Sequence, residues 1–287
     1  MTTLFGTNGV RGTINQTLSV DLVTNLSRAI GTILGPREIA VGRDSRKGGE
    51  MYTAAVKAGL LSAGCSVVEV GPVPTPCLQF MVPRLGCAGG IMVTASHNPP
   101  EFNGIKVLGA NGIEIQRSVE RRIEAVLDSG EFRVVPWTEM GWTRTYSGAI
   151  REYVDAIKSH VNVDAIRRAG FKVVVDCANS VGSLATPLLL RELGCKVVSL
   201  NCQLDGTFPG RPPEPLPENL SSLSTAVSAI GADLGVAHDG DADRATFVDS
   251  SGRVLWGDQS FAIIASHVLR RTAGSVLVTP VSSGRLI

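Results

Sequence analysis

The chain alternates short β-branched runs with amphipathic helical stretches, and it does so twice in nearly the same words. Leu60-Leu61-Ser62-Ala63-Gly64-Cys65-Ser66-Val67-Val68 is echoed between Leu189 and Val198. Gly-Cys-x-Val-Val occurs in both, with Cys65 and Cys195 standing 130 residues apart. A run ending in aspartate precedes each echo, Val41-Gly42-Arg43-Asp44 in the first and Val174-Val175-Asp176 in the second. Strand and helix patterns in alternation imply an α/β protein, because each helix must cover a sheet face. The echo at a fixed offset implies tandem copies of one unit.

The expected elements follow the pattern. Strands are predicted at 38–41, 66–70, 90–93, 172–175, 196–200 and 233–237. Helices are predicted at 49–63, 75–85, 118–127, 183–193 and 221–230, with Pro83 expected to end or kink the second. A third unit opens with a helical pattern at 259–270 and a strand pattern at Ser275-Val276-Leu277-Val278-Thr279. A helix and a strand alone cannot bury a domain-sized core. The expected fold class is α/β, with tandem repeated three-layer α/β domains, mixed sheets and a truncated third repeat. The expected domains are 1–147, 148–255 and 256–287. Apolar surface from Phe261 to Ile264 and Val276 to Val278 would then lack a partner, which predicts self-association or disorder past about Asp258.

With 27 basic and 26 acidic residues, the chain has no bulk charge for nucleic acid. The sequence contains neither a membrane-length apolar run nor a signal-peptide pattern at Met1-Thr2-Thr3-Leu4-Phe5-Gly6, so a cytoplasmic location without a membrane partner is expected. Six cysteines without a Cys-x-x-Cys pair read as reduced core thiols.

The chemistry is concentrated at strand ends. Asp239-Gly240-Asp241-Ala242-Asp243-Arg244 follows the strand pattern at 233–237. In an extended loop alternate side chains point the same way, so Asp239, Asp241 and Asp243 would aim at one point. Three carboxylates that close repel one another unless a hard divalent cation lies between them. An EF-hand loop is excluded, because its sixth position is Arg244 instead of Gly and its twelfth is Ser250 instead of Glu. Arg244 beside a metal site suggests a shared phosphate ligand, which favours Mg²⁺.

Thr94-Ala95-Ser96-His97-Asn98-Pro99-Pro100 follows the strand pattern at 90–93, at the end where open α/β sheets bind ligands. Ser96 is a candidate nucleophile there, and an ordinary turn serine is the plainer reading. Lys106 follows ten residues later. Near a phosphate and a metal it could act as acid or base, and a surface lysine on a strand edge is the alternative. Phe5-Gly6-Thr7-Asn8-Gly9-Val10-Arg11-Gly12 reads as a tight glycine-rich loop from which Arg11 could reach a phosphate.

Together these three segments resemble the α-D-phosphohexomutase superfamily in order and separation, and the linking sequence agrees along all 287 residues. The wording of Pro100 to Lys106 and of Gly235 to Asp239 is most similar to archaeal phosphoglucomutase/phosphomannomutase enzymes. The resemblance implies a phosphoserine at Ser96 that passes its phosphoryl group to a hexose monophosphate substrate. Hexose 1,6-bisphosphate would be the intermediate and activator. It further implies Mg²⁺ held by Ser96, Asp239, Asp241 and Asp243. Arg244, Asn98 and Arg11 would contact substrate, with Arg11 also neutralising the reacting phosphate. Either Lys106 or His97 would carry the proton.

Members of the superfamily have four domains. A sugar loop with Gly-Glu and a phosphate loop with Ser-Gly-Thr, supplied by the third and fourth, are not found in these residues. The chain by itself is thus expected to be a weak or inactive mutase. Two rival expectations are a Mg²⁺-dependent sugar-phosphate phosphatase and a non-catalytic binding or assembly module.

Overall fold

The computed structural model describes residues 4–6, 8–272, 274–280 and 283–284. Thr7 of the N-terminal motif therefore lies outside the described residues. The first part contains β1 (Val10–Thr13), α1 (Val20–Leu34), β2 (Glu38–Arg43), α2 (Gly49–Ser62), β3 (Ser66–Pro72), α3 (Thr75–Arg84), β4 (Gly89–Val93), β5 (Phe102–Gly109), α4 (Arg117–Ser129), β6 (Thr143–Thr145) and α5 (Ala149–Ser159). The second contains α6 (Val163–Ala169), β7 (Lys172–Asp176), α7 (Gly182–Glu192), β8 (Lys196–Leu200), α8 (Ser221–Ile230), β9 (Leu234–His238), β10 (Ala245–Asp249) and β11 (Val254–Leu255), followed by α9 (Gly257–Arg271).

The strands form two mixed sheets, ordered β1-β5-β4-β2-β3-β6 and β11-β10-β9-β7-β8. In the first, β2 runs parallel to β3 and β4, while β5 is antiparallel to both β4 and β1. In the second, β7 runs parallel to β8 and β9, and β10 is antiparallel to β9. The order β5-β4-β2-β3 thus reappears as β10-β9-β7-β8, which is the structural form of the sequence echo.

Continuous apolar runs make the central strands, because both faces of such a strand are covered by helices. Ile39 and Val41 of β2 join Ile91 of β4 in one core with Val23 and Ile30 of α1 and Val56 of α2. Ala40 and Met92 face the opposite way, onto Leu78 and Met81 of α3. The alternation of side chains along each strand divides them between these two layers. In the second sheet Val174 packs on Leu223 and Val227 of α8, while Val173 and Val175 face Leu190 of α7. Helix α1 starts where the Ser19 side chain accepts a hydrogen bond from Leu22 N, satisfying one orphan donor of the first turn.

Two expectations need correction. Residues 10–13 form strand β1 against β5, with Arg11 opposite Gly104, so only the first half of the expected glycine-rich loop is a loop. Pro83 lies in the last turn of α3, which ends one residue later at Arg84, where a proline is expected to end it. Residues 275–279 form no strand, because no neighbouring strand among the described residues offers a ladder. Helix α9 is formed, and its Ile263 and Ile264 are exposed. Among the described residues no helix is long and apolar enough to cross a membrane.

Candidate active site

Two loops from the two sheets meet at the carboxyl ends of their parallel strands. The first, residues 94–101, leaves β4; the second, residues 239–244, joins β9 to β10. Ser96 Oγ donates a hydrogen bond to Asp239 Oδ2 at 2.7 Å, across 143 residues of sequence. Ser96 is buried and has φ 52°, a left-handed backbone that costs a non-glycine residue about 1–2 kcal/mol. Net hydrogen-bond contributions of about 0.5–1.5 kcal/mol each are of the same size, so one to a few bonds on the loop offset that strain.

The aspartate loop differs from the extended alternation expected of it. It is a turn in which Ala242 adopts φ 57°, and it buries Asp239 and Asp241 completely while Asp243 stays partly accessible. A curled backbone still brings the three carboxylates together, with one oxygen of each within 4.8 Å of the others.

Neighbours from both parts fasten this loop. Thr75, at the start of α3, donates from Oγ1 to Asp241 Oδ2 at 2.6 Å, and its N–H donates to the Asp241 carbonyl. Ser180 Oγ donates to the Gly240 carbonyl and pairs with Ser45 Oγ at 2.8 Å. A Cβ on Gly240 would overlap the carbonyl oxygen of Ser96, so the loops approach backbone to backbone.

Lys106 is a core residue of β5 and not a surface lysine. Its Nζ lies 2.7 Å from Asp241 Oδ2 and 2.8 Å from Asp243 Oδ2. Burial opposes the ammonium charge, and the two carboxylates overcome it, so its pKa stands above the ordinary lysine value. For Asp241 burial likewise opposes ionisation, and Lys106 prevails, holding the carboxyl below its usual range. Burial and the repulsion of Asp241 and Asp243 raise Asp239 well above its usual range. Burial and then Arg244 lower the His97 pKa.

The remaining predicted residues line one open cleft of about 700 Å³ above this floor. Arg11 Nη1 donates to Asn98 Oδ1 at 2.6 Å and to the Ala95 carbonyl at 3.2 Å. His97 Nδ1 lies 3.5 Å from Ser96 Oγ. Arg244 reaches over the rim, with Nε 3.5 Å from Asp239 Oδ2 and Nη1 3.3 Å from Glu214 Oε1. Arg11, Ser96, His97, Asn98, Lys106, Asp243 and Arg244 all face the cleft, while Asp239 and Asp241 lie beneath it.

The donor set suits a divalent cation. Three convergent carboxylates supply hard oxygen ligands, and the buried Asp241 Oδ1 has no hydrogen-bond partner among the described residues. The positive groups around the cleft suit an anionic ligand.

Comparison with known proteins finds matches along most of the chain. The phosphoglucomutase/phosphomannomutase α/β/α domain I matches residues 2–134, and domain II of the same description matches residues 151–252. The chain belongs to the phosphoglucomutase/phosphomannomutase family.

Among its family relatives, a phosphoglucomutase/phosphomannomutase of Thermococcus kodakarensis is 47% identical over 290 residues, covering 99% of this chain and 63% of the relative. A phosphoglucosamine/phosphogalactosamine mutase of Sulfurisphaera tokodaii is 46% identical, with the same 99% and 63% coverage. The crystal structure of a phosphoglucomutase/phosphomannomutase family protein from Burkholderia thailandensis superposes with a TM-score of 0.82 at 32% identity, covering 92% of this chain and 58% of that one. The chain thus spans about three-fifths of the length of these family members.

Sequence reasoning did not single out Thr75, Ser45, Ser180 or Glu214, which hold the two loops and Arg244 in place. Each is an ordinary residue in an ordinary context, and only the meeting of the two sheets gives it a role. Asp44 and Asp176 carried a signal, since both end a strand at the same point of the echo.

Proposed function

We propose that this chain carries the phosphoserine and metal half of a phosphohexomutase that interconverts hexose 1-phosphate and hexose 6-phosphate. The observation that carries the reading is the contact of Ser96 Oγ with Asp239 at the base of a cationic cleft. Ser96 would be the residue that alternately bears and gives up the phosphoryl group. The bond from Ser96 Oγ to phosphorus breaks as a sugar hydroxyl oxygen bonds to phosphorus. The hydroxyl proton leaves to His97, whose lowered pKa leaves the imidazole free to accept it, or to Lys106 once that ammonium has given up its own proton, and hexose 1,6-bisphosphate results. Return of the opposite phosphoryl group to Ser96 completes the interconversion.

The protein groups supply what phosphoryl transfer requires, positioning and charge neutralisation. Asp239, Asp241, Asp243 and the Ser96 oxygen would hold Mg²⁺, which when bound draws negative charge from the phosphoryl oxygens. Arg11 and Arg244 would add fixed positive charge around the cleft, Arg244 from beside Asp239. Asn98, oriented by Arg11, would contact the substrate.

The half-reaction at Ser96 is the direct test. Purified protein incubated with glucose 1,6-bisphosphate and Mg²⁺ should gain the mass of one phosphoryl group, and the Ser96→Ala variant should gain none. A wild-type protein that never takes up phosphate would refute the reading. Release of inorganic phosphate without isomerised sugar would identify a phosphatase instead.

A further inference from the structure

Ser96 needs more than its own side chain to stay where it is. It is a non-glycine residue in left-handed backbone, and such a conformation persists only where the surroundings over-determine it. A group outside the cleft does this. Arg46, in the loop after β2, is 2% exposed, and its guanidinium lies beneath the 94–101 loop. Nη2 donates to the carbonyls of Ser96 at 2.7 Å and Asn98 at 2.5 Å, and Nη1 donates to those of Pro99 at 2.7 Å and Phe102 at 3.0 Å. Its Nε forms an ion pair with Asp44 Oδ2 at 3.2 Å. Asp44 Oδ2 also accepts from Thr94 Oγ1 at 2.6 Å, and Thr94 Oγ1 in turn accepts from the Ser96 N–H at 2.9 Å.

The peptide groups on both sides of Ser96 are therefore held by one connected set, the N–H through Thr94 and the carbonyl through Arg46. The same carbonyl abuts Gly240 of the aspartate loop, so the set also determines the approach of Ser96 to Asp239. From the second part of the chain, the Phe208 ring covers the guanidinium at 5.0 Å.

We infer that Asp44, Arg46 and Thr94 form a brace that holds Ser96 in its left-handed conformation with Oγ directed at Asp239, and that Arg46 is its principal positioning residue. Arginine suits the task because its planar fork presents several donors in fixed directions. A lysine would keep the charge but could not reach four carbonyls together. The inference rests on the proposed role of Ser96 for its functional consequence, but not for the brace itself.

The experiment compares wild type, Arg46→Lys and Thr94→Val in three measurements. These are amide hydrogen exchange of residues 94–103, the rate of Ser96 phosphorylation by glucose 1,6-bisphosphate, and Mg²⁺ affinity. Each variant should exchange these loop amides about tenfold faster and phosphorylate Ser96 about tenfold or more slowly, with Mg²⁺ bound more weakly because the Ser96 oxygen is one of its proposed ligands, and with exchange in the β7–β9 region little changed. Thr94→Val removes a single hydroxyl and decides the matter if the lysine variant does not fold. Unchanged loop exchange in a folded variant would overturn the brace. So would a uniform rise in exchange across both sheets, which would make Arg46 a general stabilising residue. If wild type takes up no phosphoryl group, the phosphohexomutase reading fails, and the exchange of residues 94–103 still decides the brace.

Discussion

Ser96 and Asp239, separated by 143 residues, are joined by a 2.7 Å hydrogen bond in which the serine hydroxyl donates to a buried carboxylate. Burial and the neighbouring Asp241 and Asp243 raise the Asp239 carboxyl well above its usual range, so its negative charge is costly to the fold in the absence of a cation. Asp239→Asn keeps the shape and can still accept the hydroxyl. It should leave metal-free stability equal or higher in urea unfolding. Its Ser96 phosphorylation rate should fall about 10²–10³-fold, as when one electrostatic stabiliser of a transition state is removed. A variant as active as wild type would show that Asp239 does not serve the transfer.

Lys106 occupies the carboxylate cluster that would hold a cation. Its ammonium contacts Asp241 and Asp243, and both Lys106 and Asp241 are buried. Lys106→Met leaves Asp241 without its partner, a change that costs about 3–5 kcal/mol when a buried pair is broken. A bound divalent ion can restore part of that, since saturation at a hundred times Kd is worth about 2.7 kcal/mol. The thermal midpoint of Lys106→Met should therefore rise more on adding Mg²⁺ than that of wild type, and chelator should abolish the rise. Equal shifts in the two proteins would show that lysine and metal do not share the site.

The parts of this site differ in how visible they were before folding. Continuous apolar runs such as Gly90-Ile91-Met92-Val93 mark strands covered on both faces, and the polar residues that follow them mark the ligand end of the sheet. Ser96 and the three aspartates were legible for that reason. Arg11 and Lys106 were legible as candidates but not as neighbours of the two loops. That placement depends on β1 and β5 joining the sheet antiparallel, and Phe102-Asn103-Gly104 is a poor strand signal. The pattern at 275–279 shows the converse. Strong β-propensity there produces no strand, because a ladder needs a partner that local sequence cannot supply.

The cysteines provide a test of the fold that is independent of catalysis. All six are free, and Cys77 and Cys87 are buried, with burial pushing their thiols up to about 12 and about 11. Cys202 shifts the other way, because a hydrogen bond from Cys177 favours its thiolate. The thiolate is the reactive form, and at pH 8 a thiol of pKa 11 is about one part in a thousand ionised. Iodoacetamide at pH 8, read by peptide mass spectrometry, should label Cys202 well before Cys77 and Cys87. From pH 8 to 9 labelling of Cys87 should accelerate about tenfold, and that of Cys202, whose pKa is lowered, by less. Labelling of Cys77 as fast as Cys202 in the native protein would contradict the packing of α3 on the first sheet.

Gly240 tests the meeting of the two loops directly. Its role is proximity rather than unusual backbone, because an added Cβ would overlap the Ser96 carbonyl oxygen. The contact is with main chain on both sides and cannot be relieved by a rotamer change. Gly240→Ala should therefore cost about 1–3 kcal/mol, the usual range for overpacking, and should slow Ser96 phosphorylation by separating Ser96 from Asp239. Gly257→Ala is the matched control, since a Cβ at the start of α9 meets nothing within 4 Å. That variant should unfold in urea at or above the wild-type midpoint and phosphorylate Ser96 at the wild-type rate, because alanine is the better helix former. Equal behaviour of the two alanine variants would mean that the Ser96 and aspartate loops do not approach as closely as this contact requires.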